Sequence, residues 1–426
     1  MMPTVPLPVR LYGAASRVIA PLAYRRVAAK LGAQGIPKTR LKERLGHATA
    51  ERPQGRLMWF HAASVGESVS VLRLITRLSQ IHGDMSFLIT SGTATSAQIV
   101  AKRLPPRSIH QFAPLDTKPA LRRFLAHWHP DVGVFVESEI WPHMLMQSRA
   151  HGVPLALINA RISDRSARNW KLFAASARFL LDHFGTIHCQ DNRTEANLRI
   201  LGLSKAEKGP NLKALSDALP VDKMELKAIR SQVGDRPLWL ASSTHPGEDE
   251  IVINAHRHIV KQNPDALLIL VPRHTERAGD IARIIDDAKL THARRNKGGT
   301  IAPDIQVYLA DTLGETGLWY ALCPLTCLCG SFSPVGGHNP FEPAHAGSAI
   351  LHGPLYPNFT EAYTDLDTIG AALEVRADAL TPTVTKLLSD PEQLEDMRKK
   401  ARAFATGQED VLDTFAMTLS NALSLR

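Results

Sequence analysis

From Arg56 onward the chain alternates short apolar runs with segments of helical periodicity, and this alternation restricts the fold more than any other feature. The runs RLMWFHAA, MSFLIT, SIHQFAP, DVGVFVE, VPLALINA and TIHCQ read as strands, separated by stretches such as Glu67 to Gln80 and Arg165 to His183. Strand and helix in that order predict a parallel sheet covered by helices. The pattern fades between Gly202 and Pro220, where Gly209-Pro210 breaks the chain, and resumes with PLWLASS, ALLILVP, IQVYLA, PLTCLCG and SAILHG. A chain of 426 residues is too long for one ordinary core. It suits two α/β domains of roughly 200 residues each. The expected fold is therefore two Rossmann-like domains joined near residues 205–222, with loops at the strand carboxyl ends of both facing one cleft.

Residues 330–345, GSFSPVGGHNPFEPAH, follow a charge-free apolar strand, and no Asp, Glu, Lys or Arg occurs from Thr316 to Phe341. Gly336 and Gly337 can adopt backbone angles closed to other residues, and Pro340 suits the first turn of a helix. Free N–H groups and a helix dipole there would cradle a phosphate, with Glu342 placed to accept from sugar hydroxyls. An ordinary strand-to-helix turn has the same composition.

The formal charge of +9 favours an acidic partner: nucleic acid, an anionic membrane or a phosphorylated substrate. Aromatic residues at 6% argue against a base-stacking nucleic-acid platform. Cys189, Cys323, Cys327 and Cys329 have no spacing that suits a disulfide framework or a zinc ribbon, so they read as buried free thiols. The first 32 residues mix apolar residues with Arg10, Arg17, Arg25, Arg26 and Lys30. Too interrupted to span a bilayer, they suit either a helix lying in an anionic headgroup region or a helix packed on the domain surface.

Several strand ends carry reactive side chains. RLMWFHAA runs into Ser64-Val65-Gly66-Glu67, where a carboxylate at a helix start stays ionised or simply caps the helix. DVGVFVE ends in Glu137-Ser138-Glu139, a pair of acids suited to acid/base or metal chemistry, on one side only if the strand persists that far. PLWLASS ends in Ser242-Ser243-Thr244-His245, and ALLILVP ends at Pro272, with Arg273 and His274 following. An arginine at such a place gives a planar, permanent charge for phosphate.

Together these segments closely resemble the 3-deoxy-D-manno-oct-2-ulosonic acid (Kdo) transferases, the membrane-associated enzymes of lipopolysaccharide core assembly. The resemblance rests on SVGE at 64–67, ESEIWP at 137–142, INARISDRSARNW at 158–170, SSTHPGE at 242–248, LVPRHTER at 270–277, DTLGE at 311–315 and GGHNPFE at 336–342. It implies a GT-B glycosyltransferase fold: a membrane-interface helix over 1–32, an acceptor domain over 33–210 and a CMP-sugar domain over 211–426. It also implies Glu67 as general base, with Glu137 and Lys213 supporting the transition state. For CMP the matching positions are Pro272 and Arg273, then Leu313, Gly314 and Glu315, then Asn339, Pro340, Phe341 and Glu342. The family usually reaches its lysine through a short β-strand and TG(S/N)LK, whereas SKAEKGPNLK here is shorter and charged.

On this resemblance the donor is CMP-Kdo, the acceptor is lipid IVA, and the enzyme works by inversion at the cytoplasmic face of the inner membrane, on its anionic surface. Neither a metal nor a cofactor is expected, nor a nucleic-acid partner. Asp365-Leu366-Asp367 reads as a helix surface rather than a magnesium site. Two other classes fit parts of the pattern. A GT-B-related nucleotide-sugar epimerase would share the HNP…E loop but needs no lipid acceptor. A non-enzymatic membrane-surface protein would explain the charge and the first helix, but not the acids, arginine and glycines at the strand ends.

Overall fold

The structure is a computed structural model that describes residues 4–215, 218–407 and 409–425. It divides into two compact units, Met1–Ser216 with Glu409–Arg426, and Asp217–Gln408. In the first, strands β1 (Arg56–His61), β2 (Met85–Ser91), β3 (Ser108–Phe112), β4 (Val132–Val136), β5 (Leu155–Ala160), β6 (Phe184–Cys189) and β7 (Ala206–Lys208) form one sheet. Its order is β3-β2-β1-β4-β5-β6-β7, and each strand pairs with its neighbours in parallel. The order reverses between β1 and β4, the switch point where open α/β sheets hold ligands.

The second unit repeats the plan with β8 (Leu238–Thr244), β9 (Leu267–Pro272), β10 (His292–Arg294), β11 (Val307–Leu309), β12 (Leu325–Leu328), β13 (Ala349–His352) and β14 (Ala372–Glu374). The parallel sheet runs β10-β11-β9-β8-β12-β13-β14 and switches between β8 and β12. All the strands read from sequence are present. The three short strands β7, β10 and β14 are additional: β7, β10 and β14 lie at sheet edges, each three residues long, and lack the buried apolar run that marks the others.

Alternation along the strands builds a core on each face. Leu57 and Trp59 of β1 point to the side of Phe124, Trp128 and Phe135, while Met58 and Phe60 point to the side of Val71, Ile75 and Phe87. All four β1 side chains are fully buried. The four cysteines are free and buried, as their spacing suggested.

The domain spans expected from sequence need correction at both ends of the second unit. Leu212 and Leu215 sit in the core of the first unit, so the division falls after residue 216 rather than 210. The closing helix Glu409–Ala422, expected to belong to the second domain, inserts Leu412, Phe415, Ala416 and Leu419 into the first unit's core, and Asp413 pairs with Arg77 at 2.6 Å. Burying those four side chains fixes which sheet the helix joins.

The N-terminal helix spans Leu7–Ala33, with only Val9 and Leu31 buried. Tyr12 donates to Asp116 at 2.8 Å, and Ser16 lies 2.9 Å from His143 Nε2. Leu7, Leu11, Val18, Ile19 and Leu22 remain exposed, Val18 to 81%. The helix therefore packs on its unit through these polar contacts and, near its end, through Val27 and Leu31 against Ala94, Ala97 and Phe112, and it leaves an apolar row in solvent. Among the described residues, no helix is long and apolar enough to cross a membrane.

Candidate active site

The helix Val65–Ile81 starts directly behind β1. Its N-cap Ser64 accepts the Glu67 N–H at 3.2 Å and donates its hydroxyl to Glu67 Oε1 at 2.8 Å, while Ala63 N–H donates to Oε2 at 2.9 Å. Ser64 is thus the cap, and the Glu67 carboxylate braces it from the first turn. Glu67 is also only 9% exposed. Burial pushes its carboxyl above the ordinary range, the Ser64 hydrogen bond opposes that, and the charges of Glu139 and Glu137 push it further up. Desolvation thus outweighs the helix end, and the carboxyl holds its proton more tightly than an exposed glutamate does.

β4 stops at Val136, and Glu137 turns the chain with a φ of 58°, a left-handed conformation that residues with a side chain rarely adopt. Strand alternation ends there, so the two acids find different partners. Glu137 Oε1 lies 2.9 Å from Lys213 Nζ and 3.4 Å from Asn159 Nδ2. Glu139 Oε2 lies 3.2 Å from His61 Nε2 and accepts the Trp141 indole N–H. Burial raises the Glu139 carboxyl, but His61 and Trp141 bring it below its ordinary value. One carboxyl of the cluster is thus held ionised while Glu67 is made more basic.

Asn159 is the residue that sequence reasoning missed. Also left-handed, with a φ of 50°, it accepts the Leu212 N–H at 3.1 Å and so joins the Glu137 carboxylate to the loop that carries Lys213. Its position in the INARIS run at the end of β5 was the available signal. β7, one of the short strands absent from the sequence reading, ends five residues before Lys213, whose ammonium lies opposite Glu137.

In the second unit, β8 ends in a bulge where Ser243 has a φ of 61°. Behind it, buried Glu248 accepts three main-chain N–H groups: His245 at 3.0 Å, Gly330 at 2.7 Å and Phe332 at 2.9 Å. That carboxylate ties the loop after β8 to the loop after β12 across the switch point. His245 Nε2 is 2.9 Å from His338 Nε2, the rings stack at 5.2 Å, and His274 meets His245 edge-on at 5.9 Å. Burial, with His245, Arg273 and His274 nearby, lowers His338 to about 4. His338 and Glu248 lie in motifs that give them no role, because contacts with side chains or backbone distant in the chain leave no trace in spacing.

Of the positions expected to bind CMP, Pro272 is buried at the end of β9, and exposed Arg273 donates its N–H to Thr244 O at 3.1 Å. Glu315 is held by Arg295 through two hydrogen bonds, which keep it below the ordinary carboxylate range. Leu313 is 81% exposed beside Gly314 at a φ of 84°. Gly336 and Gly337 are left-handed as expected, and a Cβ on Gly336 would meet the Asn358 side chain at 2.5 Å.

The helix after them differs from expectation. It spans only Phe341–Ala346, and Pro340 is its N-cap rather than its first turn. Asn339 Oδ1 accepts the Phe341 N–H at 3.2 Å, and Gly337 N–H donates to Gly330 O at 2.8 Å. Some of the N–H groups expected to be free are therefore used within the loop. Asn339 Nδ2 donates to Glu342 Oε1 at 3.3 Å. Asp365 and Asp367 lie on the helix Thr360–Thr368, where Asp367 Oδ1 is 3.1 Å from His352 Nε2.

The first unit thus gathers Glu67, Glu137 and Lys213 at its switch point, and the second gathers Arg273 and the glycine loop at its own. Residues 39–215 match the family described as 3-deoxy-D-manno-octulosonic-acid transferase (kdotransferase). The 3-deoxy-D-manno-octulosonic acid transferase of Rickettsia felis is 34% identical over 373 residues, 86% of this chain and 79% of that protein. The Haemophilus influenzae protein of the same name is 31% identical over 379 residues, 86% of this chain and 88% of its own. Among solved structures, UDP-GlcNAc 2-epimerase from Neisseria meningitidis bound to UDP-GlcNAc has a TM-score of 0.57, covering 87% of this chain and 100% of its own. At 11% identity that is a likeness of fold alone, and the fold class is GT-B.

Proposed function

Because the chain belongs to the 3-deoxy-D-manno-octulosonic acid (Kdo) transferase family, we propose that it moves Kdo from CMP-Kdo to lipid IVA with inversion at the anomeric carbon. The observation that carries this reading is the buried Glu67 carboxylate, made more basic beside a Glu137–Lys213 ion pair. Glu67 takes the proton of the acceptor's primary hydroxyl as the oxygen attacks. The new carbon–oxygen bond forms as the bond to the CMP phosphate breaks, and the departing phosphate keeps the electron pair. A base with raised proton affinity accepts that proton more readily than a surface glutamate does.

Lys213, positioned by Glu137, neutralises the donor carboxylate or phosphate. In the second unit, Arg273 and the loop of Gly336 to Asn339 meet the negative charge that develops on the leaving CMP. Glu342 accepts from ribose hydroxyls, and Pro272, Leu313, Gly314, Glu315, Pro340 and Phe341 shape the rest of the nucleotide site. The scheme routes no step through a metal or cofactor.

The exposed row of Leu7, Leu11, Val18 and Leu22, flanked by Arg10, Arg17, Arg25 and Arg26, supports docking of the N-terminal helix on the anionic cytoplasmic face of the inner membrane. Incubating the purified protein with CMP-Kdo and lipid IVA and weighing the lipid product tests the reading. A mass increase by one or more Kdo residues is expected. Hydrolysis or epimerisation of the donor without any lipid product would overturn it.

A further inference from the structure

Beside the N-terminal helix lies a groove of about 510 Å³, walled on its other side by the helix Pro142–Ala150. Val9 and Met146 contribute apolar surface, and Arg10, Arg17, Lys118 and His143 supply positive or polar edges. Arg10 and Arg17 are two helical turns apart, roughly 10 Å, so both guanidinium groups can reach one ligand. None of the three cations has an acidic partner among the described residues. The nearby carboxylate, Asp116, is occupied below them: it accepts from Tyr12 and from the N–H groups of His143 and Met144 at 2.8, 3.1 and 2.7 Å. Arg17 and Lys118 both act on His143, whose ring is held below its ordinary value by burial first, then by these two cations, against the opposing charge of Asp116.

Three uncompensated cations around an apolar floor suit an amphiphile whose head carries nearly two negative charges, as a phosphate monoester does at neutral pH. Two further observations say which amphiphile. The exposed apolar row of Leu7, Leu11, Val18 and Leu22 runs along the same helix that forms the groove, beside the face with Arg10 and Arg17. The opposite wall begins at Pro142, three residues after Glu139, which contacts His61 in the candidate active site. Three residues span at most about 10 Å. We infer that this groove holds a phosphate monoester of the lipid acceptor, bound by Arg10, Arg17 and Lys118, while the acceptor's hydroxyl reaches the carboxylates that precede Pro142. The inference rests on the proposed acceptor, lipid IVA, an acylated disaccharide that carries two phosphates, and adds a subsite to that reading.

Its test is the binding of lipid IVA, and of lipid IVA stripped of its phosphates, in one detergent, to the full chain and two variants. Arg17→Gln with Lys118→Gln removes two groove cations, both on exposed side chains. Arg25→Gln with Arg26→Gln removes the same charge from the same helix away from the groove. The parent and the Arg25/Arg26 variant should prefer the phosphorylated lipid by on the order of tenfold or more. The groove variant should bind both lipids alike, with KM for lipid IVA raised by a similar factor and kcat kept. Persistence of the preference in the groove variant, or an equal loss in the Arg25/Arg26 variant, would overturn the subsite. Displacement of lipid IVA by an equal concentration of phosphatidic acid would also overturn it, because the groove would then serve bulk lipid. Binding is read without turnover, so a protein that shows the groove-dependent preference yet transfers no sugar would sink the catalytic reading and leave the subsite standing.

Discussion

The Lys213 ammonium lies 2.9 Å from the Glu137 carboxylate, although 76 residues separate them, and neither side chain is more than one-fifth exposed. Removing one partner strands the other in a partly dry site. Lys213→Met should lower stability by about 1–3 kcal/mol, below the cost typical of a fully buried pair. Lys213→Met with Glu137→Gln should recover part of that loss while staying inactive. Chemical denaturation of the two single variants and the double variant checks it, and strictly additive changes would show that the pair is not coupled.

Glu67→Gln should cut transfer by about 10²- to 10⁴-fold and leave CMP affinity unchanged. Because the folded carboxyl is raised, the acid limb of the rate profile should lie above the usual glutamate value of about 4.3. The sign for stability is opposite to that of a salt-bridged acid. Native protein holds the Glu67 proton more tightly than the unfolded chain does, so stability falls as pH rises from the unfolded to the raised folded pKa. Glu67→Gln removes that fall. The variant should gain stability relative to the parent above this window and show no gain below it, as denaturation at several pH values would reveal.

Arg273→Ala and Glu342→Ala should both weaken CMP binding, the first by loss of charge and the second by loss of a hydrogen-bond acceptor. Only the Arg273 effect should shrink at high salt, since screening already weakens it in the parent. Calorimetry in low and high salt separates them. Unchanged affinity in both variants would move the nucleotide site elsewhere.

Glu248→Ala leaves three main-chain N–H groups without their acceptor and should destabilise the protein by about 2–4 kcal/mol. CMP affinity should fall as well, because the loops after β8 and β12 lose their tie. Glu248→Gln, which keeps an oxygen for part of the set, should be milder. Thermal melts with and without CMP give both quantities.

Replacing Val18 and Leu22 with aspartate should reduce binding to anionic vesicles and leave the melting temperature nearly unchanged, since both side chains already stand in water. Sedimentation with the vesicles distinguishes this from a packing role. If the variant instead melts well below the parent, the row is covered by protein.

The strands with buried apolar runs were legible because a sheet covered on both faces needs continuous apolar sequence. β7, β10 and β14 were not, since an edge strand of three residues is held by its neighbour's backbone rather than by its own side chains. Glu67, Glu137 and Lys213 could be named from motifs, but their environment could not. Raising Glu67 takes burial under elements far apart in sequence, and separating Glu137 from Glu139 takes a left-handed turn that no composition announces. Asn159 and Glu248 were invisible as positioning groups for the same reason: each works by bonding backbone that lies 53 to 84 residues away.

The return of the Glu409–Ala422 helix to the first sheet sets an order on biosynthesis. On the ribosome, the N-terminal half usually completes its fold first. Here Val71, Ile75 and Leu78 wait for Leu412, Phe415 and Leu419, which are made only after the second unit. The nascent chain must therefore carry an open apolar face through synthesis of the whole second unit. A premature stop just after Gln408 would release a chain whose second unit is whole and whose first is unfinished, a target for chaperones rather than a working enzyme.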